Sequence, residues 1–256
     1  MVLRIIKGIM GAGVTVDTVI ANTEITPGGD FSGEVKFTGG EVDQLVEGIT
    51  LEFTALVEED AKGENKVATY HYFRSQVSGP FQLAPASAHS VPFEFQVPWE
   101  TPINSVGGRP LTGMKLGVST ELALDKAFDK SDLDPLVVEP LPVQAEAMRA
   151  IESLGFVLQG ADLEQGTVSG SHMPFYQEIE YWSNGEFSSA FKELEATFIT
   201  NATTTDIILQ AGNSGPLTAG NDNHQRFTVQ NNVPTDLTEP IRTQIQQLAQ
   251  RQGLAG

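Results

Sequence analysis

Asp125, Asp129, Asp132 and Asp134 crowd one short stretch of the chain. Hard cations such as calcium or magnesium take several oxygens from one loop, and this stretch offers four carboxylates. It lacks the alternating Asp-x-Asp-x-Asn/Asp-Gly order and the closing glutamate of an EF-hand, so the competing reading is a solvated, self-repelling linker. A serine nucleophile of the elbow type needs glycine two residues to either side. No serine here is so flanked, and Gly170-Ser171-His172 is a polar strand edge rather than a nucleophile. His71, His89, His172 and His224 show no i, i+2 or i, i+4 pairing, so a histidine metal site would have to be gathered from distant segments. Gly11-Ala-Gly13 has Val16 where a dinucleotide loop needs its third glycine. Glu178 and Glu180 share a strand face, and a solvated edge accounts for them more simply than a glycosidase pair across a cleft. Tyr70, Tyr72, Trp99, Tyr181 and Trp182 suit a sugar-binding face, but aromatics on strands are also ordinary core and edge residues. No catalytic residue and no cofactor are assigned, and the chain is expected not to be an enzyme.

The elements that would position these residues are mostly strands. Val14, Val16, Thr18 and Ile20 alternate with Thr15, Asp17, Val19 and Ala21, and Pro27-Gly28-Gly29-Asp30 follows as a turn. Gly33, Val35 and Phe37 face one way. Ile49, Leu51, Phe53, Ala55 and Val57 alternate along a long strand with one wet face. The segment 58–66 is polar and reads as a loop or hairpin tip. Val91, Phe93, Phe95 and Val97 share a face of a strand that Pro92 and Pro98 consign to a sheet edge. Phe175, Gln177, Ile179 and Tyr181 lie opposite Tyr176, Glu178, Glu180 and Trp182, and Asn184-Gly185 is a hairpin-turn signal. Helical spacing marks 144–154, with Gly155 as its stop, and again 239–252, with Pro240 in the first turn. The acidic, proline-bearing region 125–142 separates two β-rich stretches. The expected fold is mainly β: two antiparallel β-sandwich domains with a few short helices, one over 1–134 and one over 135–256.

Composition removes several classes of function. Fifteen Lys and Arg against 33 Asp and Glu leave a net charge of −18, which repels phosphate backbones and anionic lipid. Nucleic acid is not an expected partner. With no cysteine there is no disulfide and no thiol chemistry, which fits a reducing compartment. The apolar start is broken by Gly8, Gly11 and Gly13, too short for a secretion signal, and no run reaches the roughly 20 residues that span a bilayer. Stable membrane insertion is not expected.

Several segments resemble the bacterial sporulation-control (SpoOM-type) family. They are Val16-Asp17-Thr18-Val19; Pro27 to Gly40; Val91-Pro-Phe-Glu-Phe-Gln-Val-Pro98 with Thr101-Pro102; Leu124 to Asp134; Pro174 to Glu180; and Gly185 through Glu195. Each motif alone is weak, and their collinearity makes the match specific. The resemblance implies an arrestin-like fold and a non-enzymatic cytoplasmic regulator or scaffold acting through contacts with other proteins. Members also occur in bacteria that form no spores. After Ile207-Ile-Leu-Gln210 the family carries a basic cluster, whereas this chain reads Ala-Gly-Asn-Ser-Gly-Pro. The net charge favours a partner with a basic surface and binding that weakens with salt. A homo-oligomer is compatible with this reading. The alternative from another class is a cation-dependent, carbohydrate- or ligand-binding β-sandwich that would use the aspartates from 125 to 134.

Overall fold

The computed structural model describes residues 8–9, 13–61, 64–124, 134–212, 217, 224–233 and 235–254. In chain order the first strands are β1 (Gly8–Ile9), β2 (Thr15–Ile20), β3 (Glu24–Ile25), β4 (Asp30–Thr38), β5 (Gln44–Ala61) and β6 (Glu64–Ser78). They are followed by β7 (Phe81–Leu83), β8 (Ala88–Gln96), β9 (Ser105–Val106), β10 (Arg109–Pro110) and β11 (Leu116–Leu124). The C-terminal half holds β12 (Asp134–Pro135), β13 (Val137–Val138), helix α1 (Pro142–Ser153), β14 (Phe156–Gln165) and β15 (Phe175–Ser183). It closes with β16 (Glu193–Thr200), β17 (Thr204–Ala211), β18 (His224–Gln230) and helix α2 (Thr238–Leu254).

Strands with one apolar face stack in pairs of sheets, because only the inward set of alternating side chains has water to escape. One sheet of the N-terminal half is antiparallel in the order β1-β2-β4-β8, so the proline-bearing β8 is an edge strand, as its sequence demands. Phe31 on β4 meets Phe53 on β5 edge to face at 5.2 Å, and Phe93 and Phe95 of β8 complete the aromatic layer. The fold is mainly β and arrestin-like, with two helices among the described residues.

The second sheet runs through both halves: β12-β11-β5-β14-β15-β16-β17-β18, with β6 and β7 also on β5. The long β5 makes this possible. One of its edges pairs with β11 from Val46 to Ala55, and beyond that it meets the parallel strand β14 at Glu58 opposite Glu164. The other edge carries β7 and then β6. Of the two readings of the polar segment 58–66, the hairpin tip holds and the loop does not: it is the far end of the β5–β6 hairpin. Strand pairing continues to Ala61 opposite Glu64, because backbone ladders close irrespective of how polar the side chains are.

Across the junction Phe175 stands edge-on to Tyr70 and Tyr72, at 5.9 and 5.6 Å. Gln177 donates to the Ile103 carbonyl at 2.6 Å and accepts from the Ile103 N–H at 3.0 Å. The Ala161 N–H donates to the Thr112 carbonyl at 2.9 Å. Gly113, at φ +95°, brings its backbone so close that a Cβ there would lie 2.3 Å from the Ala161 carbonyl oxygen.

In the C-terminal half the two helices cover one sheet face. α1 buries Val143, Ala147, Met148 and Ile151, while α2 buries Ile241, Ile245 and Leu248, the stripes their 3.6-residue periodicity requires. Pro142 occupies the first turn of α1, and the Gln144 side chain accepts from the Leu141 N–H at 2.8 Å. Gly155 at φ +92° then ends the helix.

Asn184-Gly185 does not make a two-residue hairpin. The chain leaves β15 there and returns only at Glu193, because Phe187 and Phe191 turn inward and stack on Phe156 at 6.0 and 6.1 Å. Burying two aromatic rings outweighs the tighter turn. Replacing Phe187 with alanine is expected to cost about 3 kcal/mol through the cavity it leaves. Urea unfolding should show the midpoint falling with an unchanged slope.

Candidate functional site

The alternation along β14, β15 and β16 sends one set of side chains under the helices and the other outward. The outward set is acidic. Register places Asp162 opposite Glu178, Glu180 opposite Glu195 and Trp182 opposite Glu193, while Glu164 lies opposite Tyr176 on one side and Glu58 of β5 on the other. Seven carboxylates, those of residues 58, 162, 164, 178, 180, 193 and 195, thus share the outer face of four neighbouring strands. Carboxylate oxygens of Asp162, Glu164 and Glu178 lie within 4.8 Å of one another.

Charges this close, partly withdrawn from water, oppose one another's ionisation. Burial raises Glu178 to about 9, with Glu195, Asp162, Glu164 and Glu180 adding repulsion. Burial, followed by Glu180, Glu164, Glu58 and Glu195, brings Asp162 to about 7. Glu195 also reaches about 7 through burial and its acidic neighbours, with a hydrogen bond from Gln210 acting the other way. Glu180 is raised by burial, Glu193 and Glu58. Several of these groups therefore keep protons near neutral pH, which relieves the crowding.

The face has an apolar boundary at each end. At one end Trp182 is 61 % exposed beside Val157, itself 47 % exposed. At the other, Val168, Tyr176, Ile199, Ile208 and Leu217 form a small buried cluster, in which the Tyr176 hydroxyl accepts from the Leu217 N–H at 3.1 Å. On β18, Arg226 pairs with Asp206 at 2.5 Å.

Alternation alone suggests a solvated edge for Glu178 and Glu180, but they belong to this partly buried cluster. Their face is crowded by carboxylates from strands distant in sequence, and a single-strand pattern carries no trace of that. Of the four aspartates that could serve a cation, Asp125, Asp129 and Asp132 lie outside the described residues. Asp134 is 9 % exposed on β12, opposite Val118. Ser171 accepts from the Met173 N–H at 3.0 Å, and the His172 N–H donates to Glu100 at 3.0 Å. Among the five aromatics suited to sugar binding, Tyr181 is fully buried, Tyr70 and Tyr72 pack on the core, and the Trp99 ring lies against Gly28. Trp182 alone of the five is largely open to solvent.

A separate open groove of about 740 Å³ runs between α1, the end of β18 and the segment leading to α2. Pro142, Val143, Val229 and Val233 give it apolar walls. Its cation, Arg149, is engaged by Glu146 at 2.6 Å and by Asp236 at 3.4 Å.

A family model described as SpoOM protein matches residues 4–215. The chain belongs to the SpoOM family. It is 34 % identical over 198 residues to the sporulation-control protein Spo0M of Bacillus subtilis (strain 168), covering 76 % of this chain and 74 % of that protein. The crystal structure of Spo0M from Bacillus subtilis superposes with a TM-score of 0.76 at 24 % identity, over 95 % of this chain and 99 % of that one. At that identity the superposition speaks for the fold. The family match ends at residue 215, before β18 and α2. No helix among the described residues is long and apolar enough to cross a membrane.

Proposed function

We propose that this SpoOM-family protein is a non-enzymatic cytoplasmic regulator that works by docking another protein, in the manner of a scaffold. The observation carrying this reading is the outer face of β14, β15 and β16, where carboxylates adjoin the exposed Trp182 and Val157. Those carboxylates of the face that stay ionised attract and steer a basic surface, and an exposed indole supplies apolar contact area and a face for cation–π contact. Such a partner would present lysine or arginine beside an apolar residue. The 34 % identity to a sporulation-control protein supports a regulatory role, exerted in sporulation where the host forms spores.

The test is affinity purification of the tagged protein from its own host at low and moderate salt, followed by mass spectrometry, with Trp182→Ala in parallel. One reproducible partner should appear, weaken with salt because exposed charges are screened beyond about 8–10 Å, and fall at least several-fold with the variant. The variant's thermal midpoint should not move, because Trp182 is mostly in water. A partner retained equally by the variant would place the contact elsewhere, and turnover of a substrate by the pure protein would overturn the non-enzymatic reading.

A further inference from the structure

We propose that β18 is a dimerisation edge, to which a second copy of this chain adds its own β18, antiparallel, about a two-fold axis through Thr228. This goes beyond the docking role and does not depend on it. β18 closes the ten-stranded sheet and pairs on one side only, with β17. Two hydrogen bonds fix which of its backbone groups face that neighbour. The Asn231 N–H donates to the Thr203 carbonyl at 2.9 Å, and across β17 the Gly212 N–H donates to the Glu193 carbonyl at 2.9 Å. With the register of the three strands, residues 225, 227 and 229 therefore exchange hydrogen bonds with β17. Arg226, Thr228 and Gln230 aim their N–H and C=O groups away from the sheet. Among the described residues nothing pairs with those groups, whereas the His224 carbonyl accepts from Arg251 at 3.4 Å.

A two-fold at Thr228 sets Thr228 opposite the second copy's Thr228, and Arg226 opposite its Gln230. All three outward-facing residues are used, and three pairs that each exchange two hydrogen bonds give six. The side chains match as well. Threonine meets threonine on the outer face, and on the helix face Phe227 meets the second copy's Val229, both favourable cross-strand combinations. A chain of net charge −18 repels its copies over most of its surface, so a shared edge must be free of that charge. Residues 224–233 contain no Asp or Glu, and Arg226 is neutralised by Asp206 of its own chain. Other free edges suit self-pairing less. On β8 the ladder with β4 points Pro92 outward, where it withholds a donor, and the β6 register is broken opposite Phe53 and Thr54.

Sedimentation velocity of the full chain over a wide dilution series should show a dimer that dissociates on dilution. Thr228→Pro removes only the outward N–H, which no β17 carbonyl uses. By deleting two of the six hydrogen bonds it should weaken self-association about tenfold or more. Thr228→Val loses the hydroxyl's hydrogen bond to Asp206 but keeps the N–H, and should dimerise like the parent. A second measurement does not depend on the proline variant folding. The chain has no cysteine, so Thr228→Cys gives each copy one thiol at the axis. Hydrogen-bonded pairs hold their Cα atoms about 5.5 Å apart, within reach of a disulfide. Mild oxidation should link this variant into a covalent dimer and leave the exposed Lys192→Cys unlinked. A monomer at every concentration, a dimer that Thr228→Pro leaves intact, or equal linking at both cysteines would overturn the proposal. So would a β18 that takes up another protein's strand in a chain that never self-associates.

Discussion

Gly113→Ala is expected to destabilise the protein by about 3 kcal/mol or more, among the larger effects a single methyl group can have. Two costs combine. At φ +95° an L-residue is strained by about 1–2 kcal/mol. The new Cβ would also sit 2.3 Å from the Ala161 carbonyl oxygen, a backbone atom with no rotamer to escape into. The β10–β11 connection must then lift away from β14, which breaks the Ala161–Thr112 hydrogen bond and loosens Phe175 from the two tyrosines. Chemical denaturation monitored by fluorescence would measure the loss. Hydrogen exchange should show faster exchange at Ala161 than in β4 or β17. An unchanged midpoint would mean that the close approach across the junction is not made in solution.

The second large effect is on stability against pH. Glu178, Asp162 and Glu195 move from 4.5, 3.8 and 4.5 when unfolded to about 9, 7 and 7 when folded. A raised folded value means that the folded protein binds more protons than the unfolded chain, so the associated stability is complete only below the unfolded values, at about pH 4 and under. It is lost as pH climbs through 7 and then 9. Each tenfold gain in proton affinity corresponds to about 1.4 kcal/mol before solvent screening. Discounted for groups that remain partly exposed, the combined loss from pH 5 to pH 9 should be about 3 kcal/mol. Glu139 and Asp206 run the other way: their hydrogen bonds hold them below the usual range, so their contribution disappears on acidification below about pH 4. The stability maximum should therefore fall on the acid side of neutrality. Calorimetry from pH 4 to pH 9 would locate it. Glu178→Gln should raise the melting temperature at pH 9 and leave it nearly unchanged at pH 5. Equal shifts at both pH values would contradict an origin in carboxylate repulsion and burial.

How much of the fold and of the acidic face is legible in the sequence depends on the range of the interaction. Val16, Phe37, Phe53 and Phe93 announce their strands by alternation alone, since each needs only its nearest neighbours on the same face to be apolar. Pro92 likewise marks β8 as an edge because the rule is local. The pairing of β5 with β14 joins residues about a hundred positions apart, and no local pattern encodes it. The acidic cluster depends on that pairing, so Glu58 and Asp162 cannot be joined by spacing. Glu178 and Glu180 look like solvated strand residues until β14 and β16 are set beside them. Asn184-Gly185 misleads for a different reason: a strong turn preference worth a fraction of a kcal/mol meets two phenylalanines whose burial is worth several.

The shared strand β5 also bears on how this chain is made. It is synthesised early, yet the β14 part of its edge gains a partner only about a hundred residues later. At the roughly 5–20 residues per second of translation, that edge waits on the order of 5–20 s on the ribosome with its amides and carbonyls open to any passing strand. Glu58 and Glu59 lie along that stretch of β5, and acidic side chains at an unpaired edge discourage association between nascent chains.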